Sequence, residues 1–228
     1  MYAKGNLDLL KKTKNVAIVG TRNPTKIGLA SAKKIASTFA QRGYTIVSGL
    51  AIGIDTAGHE GALQVENGKT IAVLAGNLTD IYPVENGELS NEILKNDGLL
   101  LSETPIDKGN IKGNFVKRDR IQSGLSLGIC PVQTPLKSGT QHTIKFAREY
   151  DRFLFTPIPL EKGEDAVQGN LELISSGVPV LKNTDGYDQF EREMEKTYQY
   201  LIKKIESEAS SNPLNIKDME HYEQGSLF

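Results

Sequence analysis

The sequence predicts a doubly wound α/β protein, a mostly parallel sheet with helices on both faces. Short β-rich apolar runs alternate with amphipathic stretches several times along the 228 residues. The runs are apolar throughout instead of alternating with polar residues, as expected of strands covered on both faces. Glycines close two of the helical stretches, at Gly43 and Gly98.

In order, residues 15–21 read as a strand and 26–42 as a helix, followed by a strand at 45–49 and a helix at 53–65. A third strand at 70–76 precedes a helix at 86–96, and a fourth strand occupies 98–103. After a polar loop at 105–113 come a helix at 115–125, a strand at 127–134, a helix at 139–150 and a strand at 152–159. Residues 171–176 read as a short helix and 179–181 as a small strand. The first 185 residues therefore form the main domain. Within 186–206, Phe190, Met194, Tyr198, Leu201, Ile202 and Ile205 recur at helical spacing, so an amphipathic helix is expected. Residues 207–228 read as a flexible tail whose last five turn apolar.

Composition narrows the class. A hydrophobic content of 38% with 24% charged residues belongs to an ordinary globular protein. The apolar runs fall well short of the roughly 18–20 residues a membrane span needs, so no membrane partner is expected. Residues 1–14 are polar and Lys-rich with no apolar segment behind them, unlike a secretory leader. The one cysteine, Cys130, lies in an apolar run and reads as a buried structural thiol, consistent with a cytoplasmic protein. With a net charge of −1, any surface for nucleic acid must be locally basic and balanced by acidic residues elsewhere.

Four strand-end loops carry the chemistry, because open parallel sheets bind ligands beyond the carboxyl ends of their strands. In the first, Gly20 permits a tight turn, while Thr21 and Arg22 can donate to phosphate. The second, Ser48-Gly49-Leu50-Ala51-Ile52-Gly53-Ile54-Asp55, lets backbone amides approach a ligand through Gly49 and Gly53. Asp55 there is either a helix cap or a ligand contact, and the loop lacks the Gly-Lys-Ser/Thr ending of an ATP-binding loop. The third contains Phe115, Lys117, Arg118 and Arg120: cations to track phosphates and a ring to stack on a base, unless Phe115 packs inward. In the fourth, Ser138, Gly139 and Thr140 open a helix whose free amides make an anion-binding turn. His142 has no Asp or Glu flanking it in sequence to orient it as an acid or base, and His59, on the helix after Asp55, is read with the same caution. No catalytic, metal or cofactor site is assigned.

The ordered motifs Gly-Thr-Arg, Ser-Gly-Leu-Ala-x-Gly-Ile-Asp, Ile-Ala-Val-Leu-Ala-Gly, Ile-Tyr-Pro-x-Glu-Asn, Leu-Ser-Glu, Phe-x-x-Arg-x-Arg-Ile-x-Ser-Gly-Leu, Ser-Gly-Thr and Gly-Asn span about residues 15–181. Together they resemble the DNA-processing protein A (DprA/Smf) family. The resemblance implies an extended Rossmann-like fold, single-stranded DNA binding, and usually a homodimer that helps load the RecA recombinase. Carried over by motif, Arg22, Ser48, Gly49, Lys117, Arg118, Arg120, Ser138, Gly139 and Thr140 would line a phosphate groove, and Phe115 would stack on a base. Departures from the family pattern are Ile52 for Arg, Asp119 for Asn and Gln133 for Glu. The accessory terminal domains of many members are not represented.

The final Gln224-Gly225-Ser226-Leu227-Phe228 is similar to peptides that insert into the bacterial DNA sliding clamp, where Gln224, Leu227 and Phe228 would make the contacts. The competing reading on the same fold is a nucleotide sensor or a nucleoside monophosphate phosphoribohydrolase-like protein. Hydrolysis is disfavoured because Gln141 and His142 follow Thr140 where hydrolases place a catalytic Glu.

Overall fold

The computed structural model describes residues 1–108, 113–182 and 184–211. Strand β1 (Tyr2–Gly5) is followed by a 3-10 turn, β2 (Asn15–Val19), α1 (Lys26–Gln41), β3 (Thr45–Ser48) and α2 (Ile54–Leu63). Next come β4 (Lys69–Leu74), α3 (Gly87–Lys95), β5 (Leu99–Ser102), α4 (Asn114–Leu125), β6 (Gly128–Pro131) and α5 (Thr140–Glu149). The chain finishes with β7 (Phe153–Leu154), β8 (Thr156–Pro157), α6 (Gln168–Ser175), β9 (Val180–Leu181) and α7 (Asp185–Ser211).

Seven strands form one sheet in the order β1-β5-β4-β3-β2-β6-β7, parallel except for β1, which runs antiparallel to β5. The doubly wound α/β expectation therefore holds. From β2 the chain winds outward through β3, β4 and β5, then returns to place β6 on the other side of β2. The connections after β2 and β6 thus depart in opposite directions and leave a crevice between the ends of those strands.

Three elements differ from the sequence expectation. Strand β1 was not anticipated: all four residues are exposed and without apolar alternation, so only pairing with β5 makes it a strand. The single strand expected at 152–159 is two, because the chain leaves the main sheet after Leu154 and pairs Thr156 and Pro157 with Val180 and Leu181. Helix α7 continues through a polar stretch to Ser211, past the 206 boundary expected for it. The clamp-like peptide at 224–228 lies outside the described residues. No helix among the described residues is long and apolar enough to cross a membrane.

Core packing ties α7 to the body through aromatics. Phe39 meets Tyr44, Phe155 and Tyr187 at ring-centroid distances of 5.5, 5.8 and 5.1 Å. Phe190 reaches Phe153 and Phe155 at 5.2 and 4.8 Å, and Met194 is fully buried beside them. At the helix start, Arg42 binds Asp188 and Glu191 at 2.6 and 2.5 Å. Replacing Phe190 by Ala should cost about 3–5 kcal/mol of stability in urea unfolding. A loss below about 1 kcal/mol would show that α7 unfolds separately from the core.

Candidate functional site

The crevice between β2 and β6 is a cavity of about 490 Å³. Its first wall is the turn after β2, where Thr21, Arg22 and Asn23 face Ala51 and Asp55 from the second loop. Lys137, Ser138, Gly139 and Thr140 form the opposite wall, and Phe115, Arg118, Asp119 and Gln122 of α4 close the third side. Gly20 is required by close packing: a Cβ there would stand 2.7 Å from both Gln133 O and Ile54 Cγ1. Gly53, at φ 87°, lets α2 begin against Thr21 O, which accepts the amide of Ile54 at 3.2 Å.

Helix geometry decides which residues of the basic third motif enter the crevice. Phe115, Arg118, Asp119 and Gln122 stand at i, i+3, i+4 and i+7, and so share one face. Lys117 lies on another face and lines a separate cavity of about 290 Å³ with Glu103, Thr104 and Lys108. Arg120 turns further away, to an exposed pair with Glu103 at 2.5 and 2.6 Å. The structure thus brings Thr21, Arg22, Phe115, Arg118, Ser138, Gly139 and Thr140 together, and places Lys117 and Arg120 outside that crevice. Ser48 is fully buried beneath it, donating to Ile18 O at 2.6 Å, while Gly49 and Gly53 line adjoining clefts. Lys137, Asp119 and Gln122 were not anticipated as lining residues; for the latter two, the spacing from Phe115 was the available signal.

Arg118 is only 7% exposed. Its Nη1 donates to Val73 O at 2.7 Å, and its Nε lies 3.3 Å from Asp119 Oδ1. The amide of Gln122 is fixed with its oxygen accepting from Gly49 N–H at 2.8 Å and from Arg118 Nη1 at 2.9 Å. Gly49 leaves room for this guanidinium, since a Cβ would stand 1.7 Å from Nη1 and 2.5 Å from Asp55 Oδ2.

Burial pushes the Asp119 carboxyl up to about 7; Arg118 opposes the shift, Asp55 adds to it and Arg22 opposes it. Asp55 is likewise raised by burial, against the pull of Arg118 and of the Ala51 amide. His59, behind them, is held down to about 3 by burial and then by Arg118, so it is neutral. Thr70 spends its hydroxyl proton on Ile46 O, so His59 donates from Nδ1 to Thr70 Oγ1 at 2.7 Å. That is the part of a core histidine. His142 is exposed on α5 and does not line the crevice.

The fourth loop is fastened from below. Asn170 accepts the Thr134 amide at 2.8 Å and donates to Pro131 O at 2.9 Å and Thr156 Oγ1 at 2.7 Å. Gly169 donates to Thr134 O at 2.8 Å, at a position where a Cβ would stand 2.6 Å from that oxygen. Gln133 holds the first loop, accepting from Thr25 N and donating to Thr25 Oγ1, both at 2.9 Å. Above this frame α5 starts with no side-chain cap, and the amides of Gln141 and His142 donate back to Ser138 O at 3.2 Å and Gly139 O at 3.0 Å. Arg22 and Lys137 stand exposed on either side of the crevice, which Arg118, Asp55 and Asp119 also line. Among the described residues, no group of three His, Cys, Asp or Glu is placed to hold a metal ion.

Comparison with known proteins identifies the family and the fold. The family model described as DNA recombination-mediator protein A matches residues 1–191. Protein Smf of Synechocystis is 41% identical over 184 residues, covering 79% of this chain and 46% of that protein. DNA processing protein DprA of Bacillus subtilis is 38% identical over 200 residues, covering 88% of this chain and 66% of the relative. The chain therefore spans about half to two thirds of the length of these relatives. Among solved structures, DNA processing protein A from Helicobacter pylori, described for its single-stranded DNA binding mode, superposes with a TM-score of 0.75 at 31% identity, covering 84% of this chain and 86% of that one. DprA of Streptococcus pneumoniae gives a TM-score of 0.72 at 38% identity, with 78% and 62% covered. A molybdenum cofactor carrier protein from Chlamydomonas reinhardtii, 14% identical at a TM-score of 0.54 over 81% of this chain and 99% of its own, shares the fold alone. By the extent of the family match and the identity of its relatives, the chain belongs to the DNA recombination-mediator protein A (DprA/Smf) family.

Proposed function

We propose that this chain binds single-stranded DNA by seating a backbone phosphate in the crevice between β2 and β6, and that it serves homologous recombination as a binding protein with no catalytic turnover. The observation that carries the reading is the pairing of Arg22 with Phe115, the guanidinium 5.2 Å from the ring centroid, directly beside the uncapped start of α5. A cation for phosphate and an aromatic for a base stand side by side, the combination that single-strand binders use. The H. pylori relative's single-stranded DNA binding supports the same ligand. Homodimerisation and RecA loading enter the proposal from family resemblance, and clamp binding from the terminal Gln224, Leu227 and Phe228. A free-nucleotide sensor would use the same crevice, and competition by mononucleotides against labelled strand separates the two.

Arg22→Ala should weaken binding to labelled oligothymidylate uniformly and reduce the slope of log affinity against log salt by about 0.7. Unchanged affinity and slope would remove Arg22 from the phosphate site. Arg118→Ala is a different experiment, because it strands buried Asp55 and Asp119 without their cation; a stability loss of about 3–5 kcal/mol is expected in urea unfolding.

Asp119 gives the binding a pH dependence of known sign. Its carboxyl titrates at about 7 in the free protein, and a phosphate beside it must raise that value further. Binding then takes up a proton above neutrality, so affinity falls as pH rises from about 6 to about 8.5 at constant salt, by up to tenfold per pH unit. Asp119→Asn should flatten this dependence and bind more tightly at the alkaline end. An equal pH slope in the variant would show that another group is responsible.

A further inference from the structure

Clefts that meet at the turn after β2 differ in charge. Beside Phe115 is an apolar cleft of about 360 Å³, walled by Ile52, Tyr82, Pro83 and Val84, which shares Arg22 and Phe115 with the crevice. Past Asn23 and Pro135 is a cleft of about 340 Å³ that ends on Glu164 and Asp165, and the Thr25 hydroxyl holds Glu161 at the same place. Past Arg22 and Asn23 is a larger groove of about 650 Å³ between α1 and α2. Helix packing creates it. At Gly61 a Cβ would stand 2.4 Å from Lys33 O and 2.9 Å from Ala36 Cβ, so the two helices touch there. Their first two turns stand apart, leaving Leu29 and Lys33 of α1 to face Thr56, Ala57 and Glu60 of α2. An ion pair spans the gap: Lys33 Nζ lies 2.6 Å from Glu60 Oε2, with both side chains 39% exposed.

We propose that the groove between α1 and α2 carries the bound strand out of the crevice, and that a backbone phosphate takes Lys33 away from Glu60 as it does so. This assignment rests on the DNA reading above and adds the path beyond the crevice. A polyanion seated against Arg22 can continue past Asn23 in two directions. Toward the segment before α6 it meets the carboxylates of Glu164 and Asp165, which repel each phosphate. Between α1 and α2 it stays beside Arg22 and then reaches Lys33, a compact ammonium whose donors can turn to a new acceptor. The pair that holds Lys33 is open to solvent, where such pairs are weak and screened, so a phosphate can replace the carboxylate readily. Glu60 then stands beside the strand without its cation and opposes binding. A neutral residue at that position would remove the opposition.

The test is fluorescence anisotropy of the whole chain with a labelled oligothymidylate of about twelve nucleotides over a salt series. Glu60→Gln should bind about threefold to tenfold more tightly than wild type at low salt. Lys33→Ala should bind more weakly by a similar factor and lower the slope of log affinity against log salt by about 0.7. Two controls carry the same charge changes elsewhere: exposed Lys34, the next residue of α1, as Lys34→Ala, and Glu164→Gln in the acidic cleft. Both should stay within about twofold of wild type. Because Lys33 and Glu60 lie at the surface, all four variants should unfold in urea as wild type does. A Glu60→Gln chain that binds no more tightly than wild type would overturn the groove while leaving the crevice standing. Equal losses in Lys33→Ala and Lys34→Ala would overturn it too, by showing a diffuse field, and an equal gain in Glu164→Gln would move the strand to the other route. Failure of the wild-type chain to bind at all would remove the DNA reading itself, and the groove with it.

Discussion

Arg118 holds a full positive charge almost entirely out of water, where an unpaired ion would cost several kcal/mol. The surroundings are arranged to meet it: the end of β4 offers Val73 O, α4 offers Asp119 and Gln122, and Gly49 yields the space that a side chain would occupy. These contacts fix α4 against the carboxyl ends of the central strands. Through Gln122 they also hold the Gly49 amide, and with it the loop that starts α2. The crevice walls thus converge on a buried charge, with Arg22 and Lys137 exposed at the rim above it.

Much of this was legible in the sequence because its signals are local. Apolar runs and helical spacing gave the alternation of strands and helices, and glycines at strand ends marked the loops that meet at the crevice. Edge strand β1 was not legible, since Tyr2–Gly5 becomes a strand only by pairing with β5 almost a hundred residues away. The run Lys117-Arg118-Asp119-Arg120 read as one basic patch because its charges are adjacent in sequence. Successive helix residues point about 100° apart, so the structure sends them to different places. The Gly-Asn pair at 169–170 resembled a family motif, and its role proves mechanical: it anchors the loop that carries Ser138 and Thr140.

The departures from the family pattern look different once their surroundings are known. An aspartate at 119 adds a formal negative charge beside the proposed phosphate site. Burial keeps much of that charge suppressed near neutral pH, so the side chain behaves there as a partly neutral neighbour of Arg118, closer to asparagine than its formal charge implies. Gln133, without charge, still spans the Thr25 backbone and hydroxyl and keeps the first loop in place. Ile52 gives up a cation and adds carbon to the cleft beside Phe115. Of the three departures only Ile52 is exposed; Asp119 and Gln133 are buried, where they pair with the frame of the crevice.

The wall shared by the two cavities has a consequence for how grip depends on ligand size. Phe115 and Arg22 border both the crevice and the apolar cleft, so on the proposed function a strand that engaged one side would hold its next group near the other. The second contact is then made at a high effective concentration instead of from free solution. A lone phosphate or a lone base gains nothing from this arrangement, while a short connected strand gains the product of two modest affinities. On the proposed function, a preference for the polymer over its building blocks would follow from the wall that the two cavities share.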